Sequence, residues 1–167
     1  VGGAGNISRF DGTSWSKEIS GTGADLYAVW AVDANSVWAV GTNGAIVRRS
    51  AGKWQSEPSS TTAGLLGVWA VDATTAFAVG DQGTILRRTA SGWSKDPSGA
   101  SGMLWGVMGS SATSVWVVGT SGQILESGNN SWRSMSSGTA NDLFGLTVRG
   151  SQVLAVGLGG TVLNKAQ

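Results

Sequence analysis

The side chains that carry most enzyme chemistry are missing from this chain. It has no histidine and no cysteine in 167 residues. That removes the imidazole base, the Ser-His-Asp triad, thiolate nucleophiles, disulfides and most zinc ligand sets. Ten carboxylates remain, mostly where turns are expected. Asp33 and Asp72 fall in matching turns, and Asp25 and Asp142 in matching loops. A calcium loop needs several oxygens at close spacing, yet no D-x-D-x-D run exists. A glycosidase needs two carboxylates held a set distance apart, and nothing singles out such a pair. The one tyrosine, Tyr27, shares its position with Leu66, Trp105 and Phe144. It therefore reads as bulk rather than as a nucleophile. The Gly-rich turns at 41–44, 80–83, 119–122 and 157–160 lead into strands and lack a following Lys-Ser/Thr, so they are hairpin turns and not phosphate loops. Neither a cofactor nor a metal is expected, and the chain reads as non-catalytic.

Tryptophan is abundant, with nine copies. An exposed indole can stack on a sugar ring, which is the lectin reading. The packing reading is favoured, because Trp15, Trp54, Trp93 and Trp132 recur at one spacing. Burying one Trp removes about 150–250 Å² from water, roughly 4–6 kcal/mol as an upper bound. Trp30, Trp38, Trp69 and Trp116 fall in apolar runs and read the same way, as does Trp105. Arg9, Arg48 and Arg87 also align, with Arg49 and Arg88 beside two of them. Neighbouring strand residues point to opposite faces, so each Arg-Arg pair cannot make one patch. The arginines read as a solvated outer strand whose charges discourage edge pairing.

These spacings come from a repeat of 39 residues, and repeats of that length set the architecture before anything else does. Whole repeats cover 26–59, 65–98 and 104–137. Residues 1–19 are the end of an earlier copy, and 143–167 the start of a later one. Within the first whole repeat, strands are expected at 26–32, 37–41, 45–50 and 53–57. An Asx-type turn lies at 33–35 and a tight hairpin turn at 42–44. Glycine interrupts every ten residues or so, and Val, Thr and Trp dominate, which rules out a helical repeat. The first two strands are apolar and the last two carry the charges. That gradient suits an all-β, four-stranded antiparallel blade, buried inside and wet outside.

Four-stranded units of about 40 residues repeated radially make a β-propeller. Residues 1–167 read as one such domain of four to five blades, or as part of a larger ring. The pattern V-W-A-V-G-x-x-G-x-I-x-R followed by Trp, seen in 37–54, resembles the bacterial repeat propellers grouped with the BNR, YVTN and photosystem-II assembly-factor-like families. The resemblance implies a β-propeller of a secreted or cell-envelope protein (extracellular or periplasmic), and it does not name a job, because propellers host many unrelated ones. The Asp box of sialidases is not matched: Asp11 stands four positions before Trp15 where the box needs five. Residues 1–12 align with 156–167, so the ring could close by overlap at its ends. Two incomplete blades, or completion by another chain, are the alternatives, and an incomplete propeller needing a partner is favoured.

Charged residues are only 13% of the chain and the net charge is +1, so no field recruits nucleic acid or an anionic membrane. The apolar runs are short, so no membrane insertion is expected. The first residue is Val1 rather than Met, which reads as a processed, trimmed or partial product. A ligand would meet the loop face, where the turn between strands two and three lies beside the loop joining successive blades. Those positions vary most between copies. The candidate binding residues are Asp25, Thr42, Asn43, Asp81, Gln82, Thr120, Ser121 and Asp142. The expected role is protein–protein interaction through this face or by blade completion and self-assembly, with a glycan as the alternative partner.

Overall fold

The computed structural model describes residues 1–128 and 131–165. An N-terminal hairpin pairs β1 (Asn6–Phe10) with β2 (Trp15–Ile19). Blade A then contains β3 (Leu26–Asp33), β4 (Ser36–Gly41), β5 (Ile46–Ser50) and β6 (Lys53–Ser56). Blade B contains β7 (Leu65–Ala70), β8 (Ala76–Gly80), β9 (Ile85–Thr89) and β10 (Gly92–Lys95). Blade C contains β11 (Leu104–Ser111), β12 (Ser114–Gly119), β13 (Ile124–Gly128) and β14 (Ser131–Met135). Blade D has three strands, β15 (Leu143–Arg149), β16 (Gln152–Gly157) and β17 (Val162–Lys165). Each sheet is an antiparallel meander in chain order, as the spacing of turns predicted. No helix among the described residues is long and apolar enough to cross a membrane.

The blades pack serially: β3 lies against β7, β7 against β11, and β11 against β15. The hairpin supplies Ile7 to a cluster with Leu26, Ala39, Val47 and Trp54 of blade A. Among the described residues no pairing joins the hairpin to blade D. The overlapping closure that the duplicated ends suggested is therefore not formed, and the blades make an open arc.

Each middle blade is apolar on both faces, because it is sandwiched. In blade B, Val68, Ala70, Ala78, Leu86 and Trp93 pack with Trp38, Val40 and Ile46 of blade A. The alternate residues Trp69, Phe77, Val79 and Ile85 pack with Leu104, Val107, Val115, Val117 and Leu125 of blade C. Period-two alternation sends neighbours to opposite faces. Two buried faces thus explain the near-continuous apolar run from 65 to 71. Trp30 donates its indole N–H to the Ala70 carbonyl across the A–B interface, at 3.1 Å. At the third copy, Met108 replaces the indole, and its sulfur accepts the Val148 N–H at 3.3 Å.

The second arginine of each pair, Arg49 and Arg88, does not sit on a solvated strand but clamps its blade to the preceding unit, whereas Arg9 stays exposed on the hairpin. Arg88 makes a bidentate pair with Glu57 of blade A (both contacts 2.9 Å), and Trp93 donates its indole N–H to the same carboxylate at 2.7 Å. One repeat earlier, Arg49 and Trp54 hold Glu18 of the hairpin in the same way. The side chains of Arg49 and Arg88 retain only 12% and 10% of their exposure, so the outer-strand reading is corrected. Hydrogen bonding from a planar guanidinium suits a carboxylate that must be fixed in direction. Arg48 and Arg88 also lie over the Trp38 ring, 5.0 and 5.7 Å from its centroid.

The clamp changes where the repeat drifts. Asp96 stands in the Glu57 position, one methylene shorter, and pairs with Arg87 of its own blade at 2.8 Å. Ser127 replaces the arginine and caps β12 by accepting the Val115 N–H at 2.8 Å. The Trp132 indole N–H is left buried with no partner among the described residues. Between blades C and D the earlier blade again supplies the carboxylate and the later one the cation, now as Glu126 and Lys165, at 3.6 Å.

The turn after the second strand of every blade closes over two left-handed residues, as in a type I′ turn. In blade B these are Gln82 (φ 56°) and Gly83 (φ 65°). Gly83 is required twice over. Its conformation disfavours any side chain, and a Cβ there would run into the Ala100 carbonyl of the next loop. Gly83→Ala is expected to cost about 3 kcal/mol, read as a fall in the urea midpoint. Gly23→Ala, where a Cβ meets nothing within 4 Å, should shift stability by less than about 0.5 kcal/mol.

The clamp also sets a pH dependence. Burial disfavours ionised Glu57, but hydrogen bonds from Arg88 and Trp93 and the charges of Arg88 and Arg48 outweigh it. The carboxyl is held below its ordinary value. Its stabilisation is in place above the ordinary carboxyl range and is lost as pH falls through the lowered native value. Glu57→Gln is expected to lower Tm at neutral pH and to flatten the acid side of the Tm–pH curve.

Candidate functional site

The innermost strand of each blade carries a β-bulge at the same place. Register shifts fall between Leu26 and Ala28, Leu65 and Gly67, Leu104 and Gly106, and Leu143 and Gly145. The extra residues are Tyr27, Leu66, Trp105 and Phe144. A bulge leaves one residue unpaired and re-aims its side chain. None of the four is buried: Tyr27 keeps 52% and Phe144 45% of its exposure, and Leu66 and Trp105 are half-buried. Trp105 and Phe144 meet edge to face with centroids 5.7 Å apart. The reading of Trp105 as core is corrected in part: its indole N–H is enclosed, but the side chain is only half-buried and packs at the edge of the loop face.

The turn and loop faces coincide as the topology required. Backbone N–H groups of Thr42, Asp81 and Thr120 each donate to the preceding loop carbonyl, at Asp25, Gly64 and Met103, all at 2.9 Å. This stitching brings the loop-face residues beside the bulges. Tyr27, Leu66 and Trp105 wall a cleft of about 610 Å³ whose rim is Thr42, Asn43, Thr62, Gly64 and Asp81. The cleft is open and mixed in polarity, with aromatic walls, as binding sites tend to be.

The other candidates lie elsewhere. Thr120 and Ser121 border a separate hollow of about 630 Å³ among the serines of 134–137. Gln82 borders another of similar size, with Pro58, Thr84 and Lys95. Asp25 and Asp142 are occupied within the fold. Asp25 accepts the Ala4 N–H and Asp142 the Ser121 N–H, each at 2.8 Å, capping the turn of the preceding blade. Sequence reasoning missed Tyr27, Leu66 and Trp105. Their signal was visible: one repeat position alternates among Tyr, Leu, Trp and Phe, while the residue before it is always Leu.

Among the described residues no three acidic side chains gather in a way that could hold a metal ion. Trp38, Trp69, Trp93 and Trp116 are buried between blades and offer no face to a sugar. For Trp15 the packing reading is corrected, since it keeps 72% of its exposure. Wall and core should separate in stability. Trp116→Ala is expected to cost about 3–5 kcal/mol, and Trp105→Ala about 1 kcal/mol, both read by urea denaturation.

No protein-family model matches the chain, and no curated protein sequence does. Its fold is similar to that of a solved structure of YCF48 bound to D1 peptide, with a TM-score of 0.62 and 16% sequence identity. The likeness covers 86% of this chain and 54% of that one, so the chain spans about half the length of that neighbour. The fold is that of a β-propeller, with four-stranded antiparallel blades.

Proposed function

We propose that this chain is a non-catalytic propeller module that binds another protein through the cleft walled by Tyr27, Leu66 and Trp105. The observation that carries the reading is the bulge repeated in every inner strand. It spends a residue of strand pairing in each blade to turn a large apolar side chain towards the loop face, and packing alone does not call for that. Open aromatic side chains on a rigid scaffold, beside polar turn residues that differ between copies, suit recognition of a polypeptide. The propeller fold similarity fits this: YCF48 was solved with a peptide bound. The absence of histidine and cysteine supports a role without turnover. Blade completion by a partner belongs to the same reading, as does placement in the cell envelope or outside the cell, which rests on the repeat resemblance.

Phage-displayed random dodecapeptides selected on the immobilised chain test the cleft. Enriched peptides are expected to lose about fivefold or more in affinity to Tyr27→Ala, measured by fluorescence anisotropy, and to keep it with Lys95→Ala. Enrichment of no peptide, selective binding on a glycan array or steady hydrolysis of a peptide or glycoside would each overturn the reading.

A further inference from the structure

Blade B departs from the other copies at two neighbouring positions. The turn residue is Thr42 in blade A, Thr120 in blade C and Leu158 in blade D, but Asp81 in blade B. The loop residue facing it is Asp25, Met103 or Asp142 in the other blades, but Gly64 in blade B. The two changes are coupled in space. A Cβ at Gly64 would lie 2.7 Å from Asp81 Oδ2, so any larger residue there would press on the carboxylate. Asp25 and Asp142 are consumed by backbone N–H groups. The Asp81 carboxylate takes no hydrogen bond and no ion pair from a described residue. Gly64 also brings no side-chain acceptor to the turn N–H of Asn43, the group equivalent to those that Asp25 and Asp142 cap. The cleft therefore presents one unspent carboxylate between an open tyrosine ring and a half-buried indole, with no lysine or arginine in its lining.

We infer that this cleft receives the cationic side chain, lysine or arginine, of an extended segment of the partner protein. The inference rests on the protein-binding reading above. Asp81 is the counter-ion, Tyr27 and Trp105 are the aromatic faces that a cation prefers, and Leu66 meets the aliphatic stem of the same side chain. Charge complementarity selects this occupant over an acidic or wholly apolar one: either would leave the carboxylate desolvated and unpaired.

The test uses immobilised peptides with random flanks and one fixed central residue: arginine, lysine, citrulline, norleucine or glutamate. Retention of the intact chain is expected to be about tenfold higher for arginine and lysine than for citrulline or norleucine, and lowest for glutamate. Asp81→Asn should bring arginine down to the citrulline level, with Tm unchanged because the carboxylate has no partner in the fold. Gly64→Ser should act in the same direction, and Asp33→Asn, in a turn between strands one and two, should not. Equal retention of arginine and norleucine, or a preference that survives Asp81→Asn, overturns the cation site while leaving peptide binding intact. Retention of no peptide overturns both.

Discussion

The structure depends on one constraint: an inner strand of a blade has apolar side chains on both faces, and neither face can be covered by its own sheet. Each blade is buried by its neighbours. Trp38 and Phe77 are fully buried, but Trp38 is buried by blade B and Phe77 by blade C. Stability is thus a chain of nearest-neighbour interfaces, as in other repeat proteins. The Glu–Arg–Trp clamps add direction to interfaces that apolar packing alone would let slide. Their net worth is modest because the ions are partly wet, yet each satisfies a buried indole N–H. Where the carboxylate is shortened to Asp96, the Trp132 N–H goes without.

Close backbone approach makes the second layer of the design. Successive loops run over the preceding hairpin turn, and glycine at positions such as 80 and 83 lets carbonyls come within bonding reach. Loops and turns become a continuous, hydrogen-bonded face rather than a set of free tips. Such rigidity matters for binding, because a preformed surface loses little entropy when a partner docks. The bulges then set large side chains against that face, and the differences between copies decide what each stretch of it can meet. A repeat that is uniform in its interfaces and varied at its turns separates folding from recognition.

Much of this was legible in the residues. The period, the four strands per unit and the glycine-marked turns follow from hydrophobic alternation and turn chemistry, which act over a few residues. Packing of the interface tryptophans was legible too, since recurrence at one spacing argues for a shared environment. The arginines were misread for a physical reason: an adjacent pair on an outer strand looks solvated until the next blade brings a carboxylate to it. The partner of Arg88 is Glu57, 31 residues away, and no local rule pairs them.

The sequence by itself determined the blade, because strand pairing within 39 residues is governed by local pattern and by turns that only certain residues can make. Tertiary structure alone decided three things. It placed Tyr27, Leu66 and Trp105 of three different blades on one cleft, because a bulge redirects a side chain by geometry that a repeat alignment does not carry. It assigned Asp25 and Asp142 to turn capping while leaving Asp81 open, because the deciding contact is with a residue of a neighbouring loop. And it left the arc open among the described residues, because pairing between the hairpin and blade D is a contact between distant parts of the chain that duplicated sequence does not by itself form.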